Sequence, residues 1–132
     1  MIFVDTSFWI GISAEVDARH RVAVDLLRAH GDQRLVTTNH VRGETWTFMR
    51  RRYGHRDASG VLNRLERLPR LTIEFVSEEL EDQALRWLSR HHEREYSFVD
   101  ATSFALMSSL RIKEALAFDG DFAAAGFVEL RP

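Results

Sequence analysis

The chain alternates short, densely apolar runs with longer stretches that repeat apolar residues at helical spacing. Met1–Val4, rich in β-branched and aromatic residues, predicts a buried first strand that ends at Asp5-Thr6-Ser7. From Arg19 to His30, Val22, Leu26 and Leu27 mark one helical face, and Gly31 stands where a C-terminal cap belongs. Leu35–Thr38 predicts a second strand, followed by a helix from Asn39 to Tyr53 that stops at Gly54. Asp57–Leu68 is a shorter helix closed by Pro69, and Leu71–Val76 a third strand. Ser77–His92 is a long amphipathic helix with Leu80, Ala84, Trp87, Leu88 and His91 along one side. Ser97 opens another helix that reaches Leu110, and Ala115–Phe118 is a fourth strand ending at Asp119-Gly120-Asp121. A brief helical turn and Phe127–Leu130 complete the pattern.

Strands alternating with helices predict an α/β fold with a mostly parallel sheet of four to five strands, covered on both faces. Ligands of such sheets sit at the carboxyl ends of the strands. Asp5 and Asp119 occupy two of those ends in this reading. The 132 residues suit one domain, 1–132, and at 45% hydrophobic they can build a sizeable core.

Composition narrows the chemistry. With no cysteine, disulfides, thiolate zinc sites and cysteine nucleophiles are all excluded, which fits a reducing cytoplasm. The apolar start is interrupted by Asp5 and preceded by no basic segment, so it does not read as a signal peptide. Nothing approaches the ~20 apolar residues of a membrane span. A net charge of −2 argues against holding nucleic acid by bulk positive charge. Lys113 is the single lysine, so nearly all cations are arginines, whose planar fork matches phosphate.

Four acids carry the functional expectation. Asp5, after a strand, suits a turn or an N-cap. Glu44 shares a helical face with Val41, Thr45 and Phe48, so it is expected to project from the apolar side, where a glutamate needs a partner. Asp100 completes a capping box with Ser97, yet also shares a face with Ser103, Phe104 and Met107. Asp119 and Asp121 bracket Gly120 in a turn that is common without any chemistry. Each alone has a structural explanation. Together, two acids at strand ends and two on inward helix faces can converge. Two unit charges about 5 Å apart repel by about 3 kcal/mol at an effective dielectric near 20. Several such pairs would strain a domain stable by about 5–15 kcal/mol, so the cluster must take up protons or bind a cation. Hard oxygen ligands favour Mg²⁺ or Mn²⁺ over zinc.

The segments FVDTSFW, TTNHVRGETW, YSFVDATSFALM and AFDGDFAAAGF, in this order and spacing, resemble the PIN domain, specifically the VapC toxins of bacterial toxin–antitoxin pairs. The resemblance runs over essentially the whole chain, with no acidic position missing. It implies a three-layer α/β/α sandwich and a Mg²⁺-dependent endoribonuclease, with Mn²⁺ as a substitute. It also implies a homodimer, neutralisation by a VapB-type antitoxin, and a structured translation RNA (tRNA or a 23S rRNA loop) as substrate. It places the catalytic acids on Asp5, Glu44, Asp100 and Asp119, the metal ligands on Asp5, Asp100, Asp119 and Asp121, and an orienting role on Thr6 or Ser7.

Arg50, Arg51, Arg52 and Arg56, with Arg42 earlier on the same segment, are candidates for a phosphate-gripping rim, although cations also suit a helix end without any ligand. Trp9, Trp46 and Phe48 read as core or dimer interface, and the six histidines show no metal spacing. Two rivals remain. A dehalogenase-like or receiver fold would use an aspartyl phosphate, but Ser7 stands where the former wants a second aspartate. A non-catalytic PIN-fold module that binds RNA or protein would not need the complete acid set.

Overall fold

The computed structural model describes all 132 residues. Its sheet is parallel throughout, in the order β3-β2-β1-β4-β5. The strands are β1 (Ile2–Val4), β2 (Leu35–Thr38), β3 (Leu71–Glu74), β4 (Glu114–Leu116) and β5 (Val128–Glu129). Every residue of β1 and β2 is buried. That is possible only if helices cover both faces of the sheet, which gives the three-layer α/β/α sandwich. The chain runs outward from β1 through β2 to β3, then returns to lay β4 on the other side of β1. The point where strand order reverses therefore lies between β1 and β4, and there the crevice beyond the strand ends opens.

Seven helices connect the strands: α1 (Thr6–Ser13), α2 (His20–His30), α3 (Asn39–Tyr53), α4 (His55–Arg67), α5 (Glu78–Arg90), α6 (Phe98–Leu110) and α7 (Asp121–Ala124). Helix α1 is absent from the sequence reading. Seven of its eight residues are buried, so it has no polar face and no amphipathic period to reveal it. Asp5 is its N-cap. Helix α4 begins at His55, earlier than expected, because Gly54 turns the chain at φ +99° and ends α3 while starting α4. Strands β3 and β4 are shorter than expected at their carboxyl ends, where Phe75 and Phe118 leave the ladder. His91 caps α5 instead of continuing it, with its ring stacked 4.0 Å from that of Trp87.

Helix α3 is rotated from the expected setting. Its buried stripe is Val41, Thr45 and Met49, whereas Phe48 is 41% exposed and Glu44 half-buried. Glu44 thus lies at the border of the apolar face, not within it. Trp9 is wholly buried in the core, with its indole N–H donating to Thr37 Oγ1 at 3.4 Å. The same threonine hydroxyl donates to the carbonyl of Val4 at 2.7 Å and so ties β1, β2 and α1 together directly beneath Asp5.

Candidate active site

The carboxyl ends of β1 and β4 and the N-terminus of α6 bring three segments of the chain to one place. Asp5 donates its backbone N–H to Leu116 O at 3.0 Å, extending the β1–β4 ladder by one residue past the strand. Its side chain turns inward and accepts from the Ser7 N–H at 3.2 Å and the Ser7 hydroxyl at 2.8 Å. Ser7 Oγ in turn accepts from the Phe118 N–H at 2.9 Å. That donor fixes the direction of the hydroxyl proton toward Asp5, so a single side chain sets how far Asp5 stands from the loop that carries Asp119.

Asp100 is placed by its helix. The Ser97 N–H donates to its carboxylate at 3.1 Å, and its own N–H donates to Ser97 Oγ at 2.9 Å, completing the expected capping box. The cap also aims the carboxylate into the site, since Asp100, Ser103, Phe104 and Met107 are all buried. Asp119 accepts from the Asp121 N–H at 3.2 Å across Gly120, which adopts φ +83°.

Carboxylate oxygens of Asp100, Asp119 and Asp121 lie within 4.8 Å of one another. Asp5 stands outside that set of three but close enough to feel the charge of Asp119 and Asp100. Burial, followed by Asp119, pushes its carboxyl up to about 7 despite the opposing Ser7 bonds. Burial also lifts Asp100 to about 7, against the Ser97 N–H and with help from Asp121 and Asp119. Asp119 is raised as well, first by burial. The cluster holds more negative charge than its surroundings stabilise. Oxygen-only donors, crowded and lacking histidine, fit a hard divalent cation better than zinc.

Glu44 does not join the three. It makes no side-chain hydrogen bond or ion pair, and it lines a separate open hollow of about 740 Å³ with His40, Thr47, Phe48, Arg51, Arg52 and Val99. Val99 precedes Asp100, so the hollow borders the acid cluster. Of the other arginines in the expected rim, Arg42 lies over the Phe75 ring at 5.4 Å and Arg56 lines a different hollow beside Glu15 and Asp57. Arg50 lines neither.

Sequence reasoning missed Arg94. Its Nε donates to Asp121 Oδ1 at 2.6 Å and its Nη2 to the Asp119 carbonyl at 3.1 Å. It sits in an exposed loop between α5 and α6, 27 residues from its partner, where no local pattern marks it.

A parallel sheet with acids gathered at its switch point is the arrangement of PIN-type nucleases, which generally use divalent metal ions. The PIN domain family model matches residues 2–128, and the chain belongs to that family of phosphodiester-cleaving enzymes. It is 56% identical, over all of its length and 99% of the relative's, to the 23S rRNA-specific endonuclease VapC20 of Mycobacterium tuberculosis, found in two strains. The crystal structure of that VapC20, described as a sarcin–ricin loop cleaving toxin, matches with a TM-score of 0.92 at 54% identity, covering both chains completely.

Proposed function

We propose that this protein is the endoribonuclease toxin of a VapBC-type toxin–antitoxin system, acting in the cytoplasm on the sarcin–ricin loop of 23S rRNA. The three carboxylates gathered within 4.8 Å carry the chemical part of this reading. The whole-length similarity to VapC20 supports the choice of that loop over tRNA. A VapB-type antitoxin would neutralise the enzyme, and a homodimer is its expected form.

Asp5, Asp100, Asp119 and Asp121 would hold Mg²⁺, with Mn²⁺ as a substitute. A divalent cation bound there would supply Lewis-acid polarisation of a phosphate oxygen and a lowered pKa for attacking water. The protein's own contributions are orientation and charge. Ser7 and Ser97 hold Asp5 and Asp100 in fixed rotamers before substrate arrives, so little reorganisation remains at the reacting phosphate. Glu44, the one acid of the set without a partner, would align water or complete the ligand set. Arg51 and Arg52, near it on α3, would grip the RNA backbone. In-line attack would leave a 5′-phosphate and a 3′-hydroxyl.

Incubating the purified protein with a sarcin–ricin loop RNA and with tRNA, in Mg²⁺ or EDTA, tests the reading. Cleavage of the loop that EDTA abolishes is expected. Binding without cleavage in Mg²⁺ would favour a non-catalytic PIN-fold module and overturn the proposal.

A further inference from the structure

We propose that Arg94 is a positioning residue of the cation site, holding the Asp119-Gly120-Asp121 turn so that Asp121 faces Asp100 and Asp119. The inference rests on the metal-dependent reading above and deepens it. Two bonds from one guanidinium clamp the turn on both sides of Gly120: Nε to the Asp121 carboxylate at 2.6 Å and Nη2 to the Asp119 carbonyl at 3.1 Å. The planar fork suits this pair of acceptors, and an ammonium group offers no such fixed geometry. Gly120 adopts φ +83°, where side chains are strained, so the turn that presents both acceptors to Arg94 needs a glycine. The flanking Glu93 and Glu95 make no hydrogen bond or ion pair, so of these three neighbouring charged residues only the arginine reaches the site.

Arg94 engages one oxygen of Asp121 and leaves the carboxylate its second. Without the clamp, the charge of Asp100 and Asp119 would push Asp121 outward, toward solvent. The positive charge of Arg94 works in the opposite sense, because a cation beside the site repels a metal ion. The two roles therefore predict opposite signs. Loss of a counter-charge alone would tighten metal binding, whereas loss of a positioning group weakens it, typically by about 10–100-fold.

Calorimetric titration with Mn²⁺ of the wild type, Arg94→Lys, Arg94→Ala and Asp121→Asn, with melting temperatures alongside, separates them. Both Arg94 variants are expected to fold normally and to bind Mn²⁺ about 10–100-fold more weakly, the lysine no better than the alanine by more than a few-fold. Their cleavage defect should recede as Mn²⁺ is raised, and Arg94→Ala should cost nothing further in the Asp121→Asn background. Unchanged or tighter binding in the Arg94 variants would overturn the inference, as would an equal loss in the Asp121→Asn background. If the wild type itself binds no Mn²⁺, the metal-dependent reading fails first, and the inference with it.

Discussion

Two neighbouring regions of this molecule are built on opposite plans. At the ends of β1 and β4, every acid is wired: Asp5 to Ser7 and on to Phe118, Asp100 to Ser97, Asp119 and Asp121 to each other and to Arg94. A short distance away on α3, Glu44, Phe48, Arg51 and Arg52 line an open hollow in which none of them makes a side-chain hydrogen bond or an ion pair. The first plan suits chemistry, where charges must be fixed before the transition state forms. The second suits a flexible ligand such as single-stranded RNA, whose phosphates and bases meet side chains free to adjust. Changes in the wired region should alter turnover or stability, and changes in the open one affinity.

The sharpest break is Asp5→Asn. Its amide oxygen keeps an acceptor for Ser7, so the N-cap of α1 survives. Cleavage should fall by on the order of 10³-fold, beyond the 10–100-fold typical of groups that only support a ligand. The metal-free variant should melt no lower than wild type at pH 8, since a buried negative charge has gone. A single-turnover assay and a thermal melt check both halves, and retained turnover would remove Asp5 from the site.

Next in size is the pH dependence of the metal-free protein. Asp5 and Asp100 titrate near 7 when folded, against an ordinary 3.8. Folded values above unfolded ones mean that these carboxyls favour folding fully below about 3.8, and that the contribution is lost as pH climbs through 7. The melting temperature in EDTA should therefore drop between about pH 5 and pH 8 by roughly 5 °C or more. Saturating Mg²⁺ at pH 8 should restore it, because a ligand that binds only the folded state stabilises that state. A flat or rising profile in EDTA would mean that the acids are better neutralised than their burial implies.

Ser7→Ala tests the wiring without removing an acid. It leaves the Phe118 N–H without its acceptor and removes the hydroxyl donor to Asp5 while sparing the backbone one, costing about 1–3 kcal/mol in stability and about 10–100-fold in cleavage. Unaltered activity would show that the backbone N–H at position 7 and burial hold Asp5 without the hydroxyl.

The wired region was also the more legible in sequence, for a physical reason. Asp5, Asp100 and Asp119 each sit at an element boundary, and boundaries are where capping and turn chemistry leave local marks such as the Ser97–Asp100 box. The parallel sheet was legible because the central strand β1, covered on both faces, is apolar at every position and β2 opens on Leu35-Val36. Helix α1 was hidden by the same property, since a helix buried all round looks like an extended apolar run. The setting of α3 depended on a rotation that Val41, Thr45 and Met49 decide by tertiary packing, and the sequence could not distinguish that stripe from one through Glu44 and Phe48. Arg94 could not be found by any periodicity, because its partner is 27 residues away in a different loop.

The smallest expected effect belongs to the open region. Replacing Arg51 and Arg52 together by glutamine removes two cations that no acid pairs with, so stability should barely move. KM for the RNA should rise several-fold while kcat stays near wild type, the reverse of the Asp5→Asn pattern. The salt slope of binding should flatten by about 1.4, because each phosphate contact on a single strand contributes roughly 0.7 to it. Filter binding across a range of KCl concentrations reads that slope directly. If the double variant instead loses turnover at unchanged salt slope, the arginines act on the reacting phosphate, and the division between a wired catalytic edge and an adaptable binding wall would have to be redrawn through α3.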